Sequence, residues 1–182
     1  PEKVALDWMI EAEHGPDSAA LLVTHSEELV HKVIPIVERQ LEKISPKRKQ
    51  FVSTNFSTYG GVIITESLKQ SIEFVNEYAP EHMEIMTKNP FDVLPEIKNA
   101  GEILLGEYTP ITLCNFLLGP NAILPTGGFA KTYSSVSVYD FLKRTSVGYV
   151  TKEGFERVRE KAYVFATTEG FDTHALAVKE RK

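Results

Sequence analysis

The chain has few cysteines, no long apolar run and no excess of positive charge. Of its 182 residues only Cys114 is a cysteine, which excludes an internal disulfide framework and a multi-thiolate zinc site. Twenty Lys and Arg against 25 Asp and Glu leave a formal net charge of -5, which argues against a nucleic-acid-binding protein. No apolar stretch approaches the roughly 20 residues that cross a bilayer, and the charged start is unlike a signal peptide. We therefore expect a cytoplasmic globular protein.

The common nucleotide and catalytic motifs are also missing. The chain has no G-x-G-x-x-G after a strand, no G-x-x-x-x-G-K-[ST], no H-E-x-x-H and no nucleophile elbow. The pair Gly127-Gly128 is more typical of a turn than of a phosphate-binding loop. Candidate chemistry therefore has to come from individual acidic and histidine side chains.

Short apolar runs alternate with helical patterns over the first two thirds of the chain. Such runs are typical of strands buried on both faces, and they occupy residues 19–24, 61–65, 83–86 and 102–105. Apolar positions at helical spacing predict helices over residues 2–13, 27–41 and 67–78. The polar, basic segment 46–59 is interpreted as a loop. This alternation predicts an α/β fold with a mainly parallel, Rossmann-like sheet and flanking helices.

The pattern changes after Gly106. Residues 107–140 contain three prolines and three glycines with little periodicity, which indicates an irregular but ordered and functional segment. Helical spacing returns from Thr151. We therefore predict an α/β domain over residues 1–140, which is part of a larger domain, and a small helical C-terminal segment over residues 141–182.

Glu11 and His14 are the first candidate site residues. Their spacing of three places both side chains on one face of a helix end, as in carboxylate–histidine metal sites. The alternative is a solvated polar face. His25 and His31 are predicted to lie at the surface.

Glu81 and His82 follow Pro80 at the entrance of a predicted strand. Adjacent strand residues normally point to opposite faces, but at a strand entrance both can line one cleft. Strand ends in α/β sheets are where ligands generally bind. A catalytic acid–base pair and a surface carboxylate beside a buried histidine are both compatible with this pattern. Taken by itself, His174 in the terminal segment reads as solvent-exposed.

Several motifs in fixed order then resemble those of histidinol dehydrogenases, over residues 2 to 181. The matching segments are Glu13–Ser18, Tyr78–His82, Asn99–Gly101, Gly119–Asn121, Leu124–Gly128, Ser137–Phe141, and Glu169–Gly170 followed by His174–Ala175. They correspond to the C-terminal part of a usual family member. The resemblance places most NAD contacts in the preceding part, so cofactor-binding residues stay unassigned here and we expect this chain alone not to turn over.

The resemblance implies an NAD-dependent, zinc-containing homodimer that oxidises L-histidinol through the aldehyde to L-histidine. Glu81 resembles the residue that activates water, and His82 resembles the base that takes the alcohol proton and contacts substrate. His14 and His174 resemble zinc ligands, with His174 also at the substrate. Glu169 resembles a substrate-binding carboxylate. In the family, the terminal segment reaches the partner subunit's site.

Three positions depart from the family pattern. Glu11 stands where the family usually has Gln, and Asn115 where it usually has Asp, both as zinc ligands. The exchange leaves the formal charge of the ligand set unchanged, so either a compensated zinc site or a site that no longer holds metal is possible. Ala122 replaces a substrate-contacting histidine.

We therefore expect a histidinol dehydrogenase or a close homologue, with a related enzyme for another small polar alcohol or a catalytically silent partner subunit as alternatives.

Overall fold

A computed structural model describes residues 1–181, which form two compact units. The first unit runs from Pro1 to Asp140, and the second begins at Phe141. Each unit is described by itself below.

Helices and short parallel strands alternate in the first unit. In chain order its elements are α1 (Glu2–Ala12), β1 (Leu21–Thr24), α2 (Glu27–Leu41), α3 (Pro46–Ser57), β2 (Gly61–Ile64), α4 (Leu68–Tyr78), β3 (His82–Ile85), α5 (Pro90–Val93), β4 (Glu102–Leu105) and α6 (Ile111–Phe116). Single 3-10 turns occur at Leu94–Glu96, Phe129–Lys131 and Val138–Asp140. The predicted α/β class with parallel strands and flanking helices is confirmed.

The four strands form two separate parallel pairs rather than one continuous ladder. β1 pairs with β2 so that Leu21 lies opposite Gly61, and β3 pairs with β4 so that His82 lies opposite Glu102. β3 begins at His82, one residue earlier than predicted. This register places His82 directly beside an acidic residue on the neighbouring strand.

The main core lies between α1, α2 and α3. Its buried members are Ala5, Met9, Ala12, Ala20, Val33, Ile36, Val37 and Val52. A second cluster joins Leu104 of β4 to Ile111 and Cys114 of α6, with Ile10 of α1 packed against it. Since α1 contributes to both clusters, it ties the end of α6 to the rest of the unit.

The prediction of a loop over residues 46–59 is wrong, because Pro46–Ser57 forms α3. Ser45 caps the helix by accepting from the Arg48 N–H, and Pro46 occupies the first turn, where its missing N–H costs nothing. The buried face consists of Val52 and Asn55, both fully inaccessible, and Phe56 stacks on Trp8. The basic residues are confined to the first turn of α3, where Lys47 and Arg48 are exposed, so the polar composition concealed the narrow apolar face that follows.

Two further helices of the first unit begin at serine caps. Ser26 and Ser67 accept hydrogen bonds from the backbone N–H groups of Leu29 and Gln70, capping α2 and α4. Pro35 lies inside α2. In the irregular segment 107–140, the six-residue α6 was not predicted.

The second unit contains two helices joined by a tight turn. α7 (Lys152–Thr168) is capped by Thr151, and α8 (Asp172–Lys179) follows Gly170. Gly170 has a φ of 75°, a conformation that favours glycine after a helix end. Among residues 1–181, no helix combines the length and apolarity needed to span a bilayer.

Candidate active site

A left-handed turn leads the chain from α4 into the candidate site. Ala79 has a φ of 54°, and its N–H donates to the Val75 carbonyl at 2.8 Å. A non-glycine residue in this region costs about 1 kcal/mol. Ala79 is nevertheless almost completely buried, so packing holds this conformation. The turn ends α4 and directs Pro80 and Glu81 toward β3.

Gly101 lets β4 start close to the Glu81 backbone. The Glu102 N–H donates to the Glu81 carbonyl at 2.9 Å. A Cβ on Gly101 would lie 2.6 Å from that same carbonyl oxygen and 3.2 Å from atoms of Leu124 and Pro125. A side chain at this position would therefore displace the backbone that carries Glu81.

His82 lies between two carboxylates. Its Nε2 is 3.7 Å from Oε1 of Glu81, and its Nδ1 is 2.9 Å from Oε2 of Glu102. The His82 side chain is 12% exposed, that of Glu81 is 40% exposed and that of Glu102 is 6% exposed. A buried imidazole thus has one nitrogen on a buried acid and the other near a solvent-accessible acid. The two adjacent side chains lie close enough to serve one cleft.

Glu102 is the residue that sequence reasoning missed. It was interpreted only as the start of a buried strand, although a carboxylate in an apolar run is unusual and was the available signal. Its second oxygen, Oε1, accepts from the Cys114 thiol at 2.6 Å. Burial, followed by the hydrogen bond and charge of Glu102, raises the pKa of the Cys114 thiol to about 11. Cys114 therefore stays protonated as a donor and is not a nucleophile at neutral pH.

Glu11 and His14 are in direct contact at the end of α1. His14 Nδ1 lies 2.9 Å from Glu11 Oε2, with the imidazole half exposed. The other carboxylate oxygen, Glu11 Oε1, is buried without a hydrogen-bond partner in the described residues, and so is Oδ1 of Asn115. Ile10, next to Glu11, packs against the cluster that contains Cys114, next to Asn115. Buried oxygens without partners are costly, and a bound cation is one kind of partner for such an oxygen.

The remaining predicted site residues lie elsewhere in the chain. Within residues 1–181, no three His, Cys, Asp or Glu side chains form a metal-binding group. Glu169 and His174 belong to the second unit, where both are exposed and the His174 ring lies 5.0 Å from that of Phe171. Ala122 is exposed in the irregular segment, as are the predicted surface residues His25 and His31.

A second acidic pair, also missed from the sequence, joins α1 to β3. Burial, the charge of Asp7 and a hydrogen bond that the protonated Glu84 carboxyl donates to Asp7 raise the pKa of Glu84 to about 8. Burial also raises the pKa of Asp7, while its hydrogen bond with Glu84 opposes that rise. The two carboxyl groups therefore share a proton at neutral pH.

This pair makes stability depend on pH. The folded pKa of Glu84 exceeds its ordinary value of 4.5, so its contribution is fully present below pH 4.5 and is lost as pH rises through about 8. Glu84→Gln mimics the neutral form. Between pH 5 and 9 we expect its free energy of unfolding to gain about 2 kcal/mol relative to wild type, after a discount for partial exposure. Urea unfolding at several pH values measures this. Glu96→Gln, at an exposed acid, is the control, and equal pH slopes for Glu84→Gln and wild type would contradict the shared proton.

Comparisons with known proteins agree with this geometry. The fold and site are those of an α/β protein with a carboxylate–imidazole pair at the entrance of a parallel strand. The family model "Histidinol dehydrogenase" matches residues 1–182, and the chain belongs to that family.

Individual relatives support the same assignment. The chain is 51% identical over its whole length to "Histidinol dehydrogenase" of Synechocystis, of which it covers 42%. It is 49% identical over 98% of its length to "Histidinol dehydrogenase homolog" of Colwellia psychrerythraea, covering 40% of that protein. The crystal structure of histidinol dehydrogenase from Elizabethkingia anophelis matches 98% of the chain with a TM-score of 0.93 at 34% identity, and the chain covers 41% of it. The chain thus spans about two fifths of the length of these relatives.

Proposed function

We propose that this chain is the part of an NAD-dependent histidinol dehydrogenase, or a close homologue, that carries the acid–base residues. The reaction is the oxidation of L-histidinol through the aldehyde to L-histidine. The observation that carries the proposal is His82 at the entrance of β3, with Nε2 3.7 Å from the Glu81 carboxylate. The match to the histidinol dehydrogenase family supports the substrate class.

His82 and Glu81 divide the proton transfers. Nε2 of His82 takes the hydroxyl proton as hydride leaves the carbon, because an imidazole accepts protons near neutral pH. NAD, when bound, supplies the acceptor for that hydride. Glu81, which is more exposed, then removes a proton from the water that adds to the aldehyde. After His82 has released its first proton to solvent, it accepts the hydroxyl proton of the hydrate in the second oxidation, whose hydride goes to a second NAD, and the carboxylic acid is the product.

A zinc site fits the residues of α1 and α6. Glu11 and Asn115 each present a buried oxygen without a hydrogen-bond partner, and His14 contacts Glu11. Zinc accepts carboxylate oxygen and imidazole nitrogen, whereas an amide carbonyl is a weaker ligand. We propose that Glu11 and His14 are the principal ligands, with Asn115 as a weak carbonyl donor. When bound, zinc would hold the substrate in place.

The remaining residues are assigned to a shared site. We propose that the protein is a homodimer, in which His174 completes the zinc site and contacts substrate while Glu169 binds the substrate. The exposure of both side chains supports this, because a single chain leaves them free to meet a second copy. The single unpaired cysteine suits a reducing compartment, so the cytoplasm stays the predicted location.

A second candidate function is the oxidation of another small polar alcohol. Ala122 lacks the imidazole that the family usually places against substrate, and a site without that partner discriminates less. Relatives at 46–49% identity carry the name "Histidinol dehydrogenase homolog".

Substrate choice is tested by NAD reduction with the full protein, first with L-histidinol and then with a panel of small amino alcohols. We expect turnover of L-histidinol, and we expect Ala122→His to raise kcat/KM for it by about tenfold because a polar contact is restored. Ala122→Ser is the control. Turnover only of other alcohols would favour the second candidate. No turnover by a folded dimer would favour a catalytically silent subunit.

A further inference from the structure

The parallel register of β3 and β4 places a buried carboxylate on the far side of His82. His82 and Glu102 are register partners, and partners in a parallel pair project their side chains from the same face. The result is a 2.9 Å contact between Nδ1 of His82 and Oε2 of Glu102, with both side chains largely buried. This contact involves Nδ1, whereas the more exposed Glu81 faces Nε2.

A second donor holds Glu102 in this orientation. The Cys114 thiol, on α6, donates to Oε1 at 2.6 Å, so each carboxylate oxygen has its own partner. The carboxylate therefore cannot turn away from His82 without losing the thiol contact. An ionised carboxylate only accepts hydrogen bonds, so the imidazole nitrogen that faces it must carry the hydrogen.

The charged surroundings of the imidazole are unequal. Glu102 faces Nδ1 at hydrogen-bond distance, whereas Glu81 faces Nε2 at 3.7 Å. Glu84 lies two residues further along the same face of β3 and shares its proton with Asp7. Only Glu102 is close enough to select which ring nitrogen is protonated.

We propose that Glu102 is a positioning residue that holds His82 as the Nδ1–H tautomer, which leaves the Nε2 lone pair free on the side of Glu81. A proton acceptor at Nε2 is what the oxidation requires, so the inference deepens the proposed function and rests on it. Cys114 has a supporting role, as the donor that keeps Glu102 aimed at the ring.

The ring tautomer can be measured directly by nitrogen NMR of the full protein labelled at histidine, with His82 assigned from His82→Asn. In wild type we expect the hydrogen on Nδ1. Glu102→Leu retains similar volume but has no acceptor, so the Nε2–H form should appear. Glu102→Asp keeps both acceptor oxygens and should retain the Nδ1–H form. Glu84→Gln changes a nearby acid that does not contact the ring, and should leave the tautomer unchanged.

Kinetics give a second readout. We expect Glu102→Leu to lower kcat by about 10- to 100-fold while KM changes less than about threefold, with Glu102→Asp intermediate. This split distinguishes loss of base function from loss of substrate binding.

The positioning role of Glu102 and the proposed dehydrogenase function can fail independently, because the NMR spectrum is recorded without substrate. A protein that shows the Nδ1–H ring yet oxidises no alcohol contradicts the proposed function and supports the positioning role. An Nε2–H ring in wild type overturns the positioning role, whatever the activity. If a folded Glu102→Leu variant keeps the Nδ1–H tautomer of His82, the positioning role is overturned as well. If Glu102→Leu does not fold, the wild-type and Glu102→Asp spectra decide.

Discussion

Replacing His82 with asparagine is expected to lower kcat for L-histidinol oxidation by about 10²- to 10⁴-fold, the range associated with loss of a general base. Asparagine cannot take the hydroxyl proton at neutral pH. Its side chain still fits between Glu81 and Glu102, the two groups that contact His82. The fold should therefore survive, and KM should change much less than kcat. Steady-state kinetics together with the melting temperature measure both effects.

The matched control is another histidine on the same unit. His25 is exposed before α2 and is not assigned to the site, so His25→Asn should leave kcat within about twofold of wild type. A His82→Asn protein that is folded and retains more than about a tenth of wild-type kcat would remove His82 from the proposed mechanism.

Removing the Glu11 carboxylate is expected to abolish stoichiometric zinc binding. In Glu11→Ala the anionic oxygen donor is lost, and the remaining donors on α1 and α6 are a half-exposed imidazole and an amide. We expect zinc affinity to fall at least 100-fold, because a carboxylate is a far better ligand than an amide carbonyl. Metal analysis of the purified full protein, followed by zinc titration after chelation, measures the change.

Two further variants make the zinc experiment specific. Glu13→Ala alters an acid two residues away on the same turn and should leave zinc content unchanged. Glu11→Gln with Asn115→Asp recreates the family's usual arrangement of amide and carboxylate, and should restore binding. Stoichiometric zinc that survives Glu11→Ala would refute the exchanged ligand set, and a wild-type protein without zinc would indicate a site that has lost its metal.

Local patterns were sufficient for most of the secondary structure. Short apolar runs marked the strands because a strand covered on both faces has no polar side, and apolar positions at helical spacing marked α1, α2 and α4. The prediction of a loop where α3 lies was wrong because the sequence there is mostly polar and basic. The buried face of α3 consists mainly of Val52, Asn55 and Phe56. A narrow face of this kind is recognised only once Trp8 and Ala20 are placed against it.

The contact between Glu11 and His14 was predictable from their spacing along a helix. Three residues along a helix always bring two side chains together, so spacing alone indicates a pair. The predicted proximity of Glu81 and His82 depended on the strand entrance and is found in the structure, while their roles stay proposals.

Sequence by itself therefore determined the fold class, the order of the strands and of most helices, and the family. All of these depend on spacing along one chain. Only the tertiary structure decided that Glu102 and Cys114 support His82, that Asp7 and Glu84 share a proton, and that Glu11 and Asn115 leave buried oxygens without partners. Each of these features joins residues far apart in the chain, and strand register and helix packing, rather than local periodicity, set which of them meet.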